Sequence, residues 1–435
     1  MAVLLNMYLN WDKCVSIGRL ILGYVVGQGA TQVLQLVTGF LIINWLTKDA
    51  YATFALVIAI QSTTSVLVEL GLSQSLVAFL GKKYEDSKVA GRYIRASRYL
   101  RNHMLFAGGG VLLAFFYCIA PKYEWSGGVW LVLWFSVISA LVFQSWSATY
   151  NPLLLLDKNL KVLYTIGLSS GVLRVGLIAV AYLFGVLSAP LVLLYGALQA
   201  CAAGWGAREQ TRAMICEPPA DVSLRTEKRE ILSQVLPRVP SSVFFAFEGQ
   251  IAIFLISIFG TTNGIAELGA LGRLAMLFVI IRKANSILVA PYFSKLASGQ
   301  VFSKAALFVC CSLLFALASS AFVYYLPEPF LWVLGDGYQH LKFEVFLVMA
   351  VSALNLVSML MFSLCLSRKY IFSWYSIVDI GPVCLAMVIG YVLMDLETLS
   401  GVLYFSMMMA LVKLSSVTFV LGYGLRRERV SGAAT

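Results

Sequence analysis

The sequence predicts an all-α integral membrane protein of about twelve transmembrane helices in two six-helix halves, with both termini cytoplasmic. Three observations carry that expectation: an apolar, charge-poor composition, a one-sided distribution of basic residues, and a polar pattern that recurs after half the chain. Of the 435 residues, 60% are hydrophobic and only 12% charged, and the mean hydropathy is +0.85. A soluble domain of this size carries about twice that charged fraction. Twelve spans of roughly 20 residues consume about 240 to 300 residues, which leaves short connections. The start of the chain lacks a compact apolar stretch closed by a small-residue cleavage site, so no removable signal peptide is expected.

Apolar runs place helices near 20–46, 51–80, 102–120, 128–150, 160–184, 189–207, 236–260, 266–294, 302–326, 343–366, 371–394 and 399–424. Between them the chain turns on polar or Pro/Gly stretches such as Pro121–Gly128 and Thr261–Gly264. With a cytoplasmic N-terminus, 23 of the 32 Lys and Arg fall on cytoplasmic loops and ends, and three (Lys48, Lys122, Lys342) on external loops. That bias fixes the orientation. It also assigns the basic stretch Lys82–Arg101 and the tail arginines Arg426, Arg427 and Arg429 to topology and headgroup contact, not to nucleic acid. The expected domains are residues 1–207 and 236–435, joined by a cytoplasmic linker at 208–235.

The eight cysteines form no CxxC pair, and most sit in apolar runs, where they read as small buried hydrophobes. With only His103 and His340 available, no metal site and no histidine-based catalytic triad is expected, and no cofactor either. Gly167-Leu168-Ser169-Ser170-Gly171 matches the nucleophile-elbow pattern. It lies inside a helix with no preceding strand, so close helix packing explains it better.

Gln28, Thr31, Gln32, Gln35 and Thr38 share one face of the first helix. Lipid cannot satisfy amides and hydroxyls, so that face must meet protein or a wet cavity. Arg238, Ser241, Ser242 and Glu248 repeat the spacing 210 residues later, Gly249 matches Gly39, and the breakers Pro237 and Pro240 fall at the counterpart of Gly27 and one residue past that of Gly29. Two six-helix halves entering the membrane in the same sense, with a site near the midplane, are a transporter arrangement. An ionisable group at bilayer depth costs on the order of 3 kcal/mol on insertion scales. Arg174, Arg238, Arg273, Arg282, Lys283 and Lys413 face Glu69, Glu248, Glu267 and Asp379 in that inventory, so the interior carries surplus positive charge.

Leu46–Phe54, then Glu69-Leu70-Gly71-Leu72-Ser73-Gln74-Ser75-Leu76, then Ala290-Pro291-Tyr292-Phe293-Ser294-Lys295-Leu296, then Leu334-Gly335-Asp336-Gly337-Tyr338 occur in that order along the chain. In this order the sequence resembles the polysaccharide transporter branch of the MOP superfamily, the O-antigen and related lipid-linked oligosaccharide flippases. The resemblance implies a MATE/MOP-like fold in a bacterial inner membrane. It implies export of an undecaprenyl-diphosphate-linked oligosaccharide by alternating access for surface polysaccharide synthesis, alongside polymerase and chain-length machinery. On that reading Arg174, Arg238, Arg282, Lys283 and Lys413 would meet the diphosphate. Gln28, Thr31, Gln32 and Gln35 would meet the sugar. Glu69, Glu248 and Asp379 are the candidates for coupling to a proton or sodium gradient. The alternative is multidrug or small-molecule efflux on the same fold. A membrane glycan polymerase or ligase is disfavoured, because the largest external stretch, Pro327–Lys342, offers only Glu328, Asp336 and His340 as acids or bases. No enzymatic activity is expected.

Overall fold

The computed structural model describes residue 27 and residues 29–432, apart from 82–84, 158, 217–218, 220–221, 280, 283–284, 286–292, 294–295, 297, 369 and 371–373. Those residues are almost wholly helical. In chain order the helices are α1 (29–45), α2 (Lys48–Glu69), α3 (Leu72–Leu80), α4 (Ser87–Ile119), α5 (Val129–Leu156), α6 (Leu160–Leu183), α7 (Ala189–Thr211) and α8 (Arg225–Val235). Then follow α9 (Val239–Glu248), α10 (Ile251–Phe259), α11 (Thr262–Ala275), α12 (Ser298–Tyr325), α13 (Glu328–Leu334), α14 (Lys342–Ser367), α15 (Tyr375–Leu393) and α16 (Leu399–Gly432). Nine helices among the described residues are long and apolar enough to cross a bilayer, and α9 with α10 makes a tenth when read as one interrupted span. Helix is present at each of the twelve expected places; the first, eighth and eleventh spans run into residues outside the description.

Three details differ from the sequence reading. The third span begins at Ser87, fifteen residues before the expected start, because Asp86 caps it: its carboxylate accepts from the Lys88 and Val89 amides at 3.0 and 3.3 Å. The second span, expected to be continuous, breaks after Glu69. Leu70 (φ 39°) and Gly71 (φ 82°) both take left-handed backbone there, a conformation that glycine adopts freely and leucine does not. The stretch 208–235 contains α8, whose Ile231 and Val235 are buried with Leu76, Leu80 and Ile94. Polar ties hold it in place: Glu227 pairs with Arg92 at 2.7 Å, and the Tyr93 hydroxyl donates to Glu230.

The chain sorts into two compact units: Met1–Thr38 with Val57–Glu248, and Gly39–Leu56 with Gly249–Thr435. In the first unit α5 lies along α7, with α4 and α6 beside them. The contact is close enough that a Cβ at Gly204 would fall 2.7 Å from the Phe143 carbonyl oxygen. A backbone atom cannot swing aside, so Gly204→Val is expected to lower stability by about 1–3 kcal/mol. Gly176→Ala, with nothing within 4 Å of the added carbon, is expected to leave it unchanged or raised. Thermal unfolding of the purified protein in detergent separates the two. A Cβ at Gly171 would meet Leu34 Cδ2 at 2.6 Å, and one at Gly167 would meet Thr31 at 3.6 Å. The glycines of the elbow-like pattern therefore serve packing of α6 against α1.

In the second unit α14 packs against α12 and α16, and α15 against α16. Segment 39–56 is fastened to this unit by polar contacts. The Asn44 amide donates to the Val333 carbonyl at 3.1 Å, and Lys48 lies 5.5 Å from the ring centroid of buried Tyr338. Gly335, at φ 98°, sits directly against Asn44, so the Gly335–Tyr338 turn has a packing reason for its glycine and its tyrosine. His340 Nε2 lies 3.0 Å from Glu267 Oε1.

Candidate functional site

The best-built polar site among the described residues lies in the first unit, where the second span breaks. Arg101, on α4, is 1% exposed and is among the largest fully buried side chains described. It continues a buried face made by Ala90, Tyr93, Ile94 and Ser97, at helical spacing. Its guanidinium donates to Glu69 Oε2 at 2.8 Å, to Ser73 Oγ at 2.8 Å, and to Thr149 Oγ1. Glu69 Oε1 accepts from the Ser73 amide at 2.6 Å, and so caps the first turn of α3. Ser73 Oγ in turn donates to the Ala148 carbonyl at 2.7 Å, and Thr149 to the Ser145 carbonyl at 2.7 Å. One guanidinium thereby joins α2, α3 and α5 to α4, across the break at Leu70 and Gly71.

The carboxylate of Glu69 is not fully enclosed: its side chain keeps 32% exposure. It opens onto a cavity of about 330 Å³ that is also lined by Ser65, Val66, Gln74 and Ser242. Hydropathy alone does not reveal this site. The charge count placed Arg101 in a cytoplasmic loop, whereas the structure buries it within a helix. The signal that was present is the Asp86 cap, which moves the helix start and brings Arg101 onto the face of Ala90 and Ser97.

The residues proposed from sequence fall in both units. In the first, Thr31 and Thr38 turn their hydroxyls back to the Gly27 and Leu34 carbonyls at 3.0 and 2.6 Å. Gln32 and Gln35 bond to each other at 3.1 Å. Arg174 is half-buried, with one guanidinium nitrogen 3.3 Å from Gln199 Oε1. Glu248 is half-buried at the end of α9, where the seventh span is interrupted. In the second unit Asp379 is 5% exposed and hydrogen-bonds Tyr375 one turn earlier. Lys413 is half-buried on α16, and exposed Arg282 approaches Met359 Sδ at 3.2 Å. Gln28 and Lys283 lie outside the described residues, and of Arg238 only the backbone is described.

One further cation belongs with these. Arg273, on α11, stacks 5.5 Å from the Phe54 ring centroid, and its Cδ lies 3.2 Å from where a Cβ on Gly39 would stand. Among the described residues no carboxylate lies within ion-pair distance of Arg273 or Arg282. No group of three or more His, Cys, Asp or Glu able to hold a metal ion occurs among the described residues.

No family model and no curated protein matches the sequence. Solved structures do match. An inward-facing multidrug resistance MATE family transporter of the MOP superfamily superimposes with a TM-score of 0.65 at 13% identity, over 92% of this chain and 95% of that one. The chain has the MATE fold. A eukaryotic MATE transporter matches at TM-score 0.57 and 13% identity, covering 95% of this chain and 97% of its own. A variant of the Vibrio cholerae MATE transporter VcmN matches at 0.57 and 16%, covering 94% and 96%. At these identities the likeness is one of fold. The MATE fold accounts for the twelve helical places and the polytopic membrane character that composition predicted.

Proposed function

We propose that the protein is an alternating-access transporter that moves an undecaprenyl-diphosphate-linked oligosaccharide from the cytoplasmic to the periplasmic leaflet of a bacterial inner membrane. The observation that carries this reading is the pair of arginines of the second unit, Arg273 on α11 and Arg282 beyond it, both within the place expected for the eighth span. Arg273 lies against the Phe54 ring and beside the buried Tyr51 hydroxyl, and Arg282 against a thioether, with no carboxylate partner among the described residues. A guanidinium at bilayer depth is costly unless a partner neutralises it, and the fork of donors on arginine matches phosphate oxygens. A diphosphate headgroup supplies that charge, and its polyprenyl tail can stay in lipid. Polymerase and chain-length machinery would take the product, and Glu248 and Asp379 are the carboxylates proposed for coupling to a proton or sodium gradient.

Drug efflux is the competing reading, because the solved relatives include multidrug transporters. Surplus embedded positive charge opposes a cationic cargo. Deletion of the gene in its host distinguishes the two. Loss of surface glycan with build-up of the lipid-linked precursor on the cytoplasmic leaflet is expected. Intact glycan with raised sensitivity to cationic drugs would reverse the assignment.

A further inference from the structure

The cavity beside Glu69 has a chemistry that neither the fold nor the arginine argument assigns. Its polar lining is a carboxylate (Glu69), a primary amide (Gln74) and two hydroxyls (Ser65 and Ser242), and Val66 supplies an apolar patch. A lone carboxylate in such a pocket would attract an organic cation. Here the charge is already matched, because the Arg101 guanidinium lies 2.8 Å from Glu69 Oε2 and is itself buried. The pocket therefore offers strong hydrogen-bond acceptors and donors with the carboxylate's charge largely compensated, so a phosphate gains nothing from it and its pull on an ammonium ion is weakened. Each carboxylate oxygen uses one lone pair on the protein, Oε1 for the Ser73 amide and Oε2 for Arg101, and keeps acceptor capacity for a hydroxyl. Neutral molecules dense in hydroxyls, with an apolar C–H face, match that lining. The volume of about 330 Å³ falls at the small end of ligand pockets, which run from roughly 300 to 1,000 Å³.

We infer that this cavity of the first unit is a subsite for a neutral sugar ring, with Glu69 as a fixed acceptor, Gln74 as donor and acceptor, and Ser65 and Ser242 as adjustable hydroxyl partners. Arg101 and Ser73 are positioning residues: they hold the Glu69 carboxylate in place and cancel its charge. The inference deepens the export reading by saying where the glycan is held, but ligand binding tests it without any transport.

The test uses the full-length protein in detergent and saturation-transfer NMR. The probes are a panel of neutral methyl glycosides (gluco, galacto, manno, rhamno and N-acetylgluco), with tetraphenylphosphonium and inorganic pyrophosphate alongside. At least one glycoside is expected to bind, and to lose about tenfold or more in affinity in Gln74→Leu and in Ser65→Val. Gln74 is exposed, so Gln74→Leu is expected to fold normally and serves as the primary variant. Pyrophosphate and tetraphenylphosphonium binding, if any, should be indifferent to both changes. Binding of no glycoside, or glycoside binding that both variants leave intact, overturns the inference. So does tetraphenylphosphonium binding that the same variants abolish. Failure here with glycan export intact in cells removes the subsite and spares the export reading; sugar binding in a protein whose deletion affects only drug sensitivity does the reverse.

Discussion

Glu69→Ala is expected to destabilise the protein by about 3–5 kcal/mol, the cost of leaving a buried guanidinium without its counter-charge. The effect is asymmetric. Arg101 is 1% exposed, so it cannot rehydrate when Glu69 is removed, whereas Glu69 keeps 32% side-chain exposure onto the cavity. Arg101→Leu strands a carboxylate that water can reach, so it should cost less, about 1–3 kcal/mol. The double variant Glu69→Ala with Arg101→Leu, which removes both charges, should be more stable than Glu69→Ala alone. Thermal unfolding and expression yield of the purified proteins rank the three. If Glu69→Ala unfolds at the wild-type temperature, the pair does not hold the break in the second span, and the charge compensation invoked for the sugar subsite fails with it.

That pair also shows what the sequence could and could not disclose. The helices were legible because apolar runs of span length are a local signal, and the loops were legible because basic residues cluster between them. Arg101 was not, because counting charges treats every arginine alike. Its burial depends on Glu69 and Thr149, which are 32 and 48 residues away. Glu69 itself was picked out as a costly embedded acid, but its partner came from a stretch assigned to the cytoplasm. The break at Leu70–Gly71 was visible only as a glycine inside an apolar run, and a leucine at positive φ has no sequence signature. Membership of the two units was hidden for a similar reason. Residues 39–56 adjoin first-unit helices in sequence, yet the contacts of Asn44 with Val333 and Lys48 with Tyr338 place them in the second unit. Spacing sets the polar residues of α1 on one helical face, but two of its hydroxyls are used on their own helix, by Thr31 and Thr38. Local spacing tells which residues share a face; it does not say which of them keep hydrogen-bonding capacity for a ligand.

Arg282→Glu is expected to lower export of the lipid-linked glycan at least about tenfold, with the protein present in normal amounts. Arg282 is exposed, and its polar contact among the described residues is with the Met359 sulfur. Reversal therefore breaks no ion pair among the described residues. Its effect should fall on the cargo, because a carboxylate placed where a diphosphate is to be neutralised repels it and leaves the phosphate oxygens without their donors. Arg282→Lys keeps the charge but loses the paired donors, so it should retain part of the activity. Arg282→Ala should lie between the two. Precursor on each leaflet, measured by access of a membrane-impermeant glycosidase in spheroplasts and in inverted vesicles, gives the ranking directly. A cationic cargo requires the opposite order, with Arg282→Glu the most active. An anionic cargo whose path avoids this residue leaves all three variants equal to wild type. The order lysine, alanine, glutamate is specific to a guanidinium that meets negative charge during transport, which is the step on which the assignment of a diphosphate-linked substrate depends.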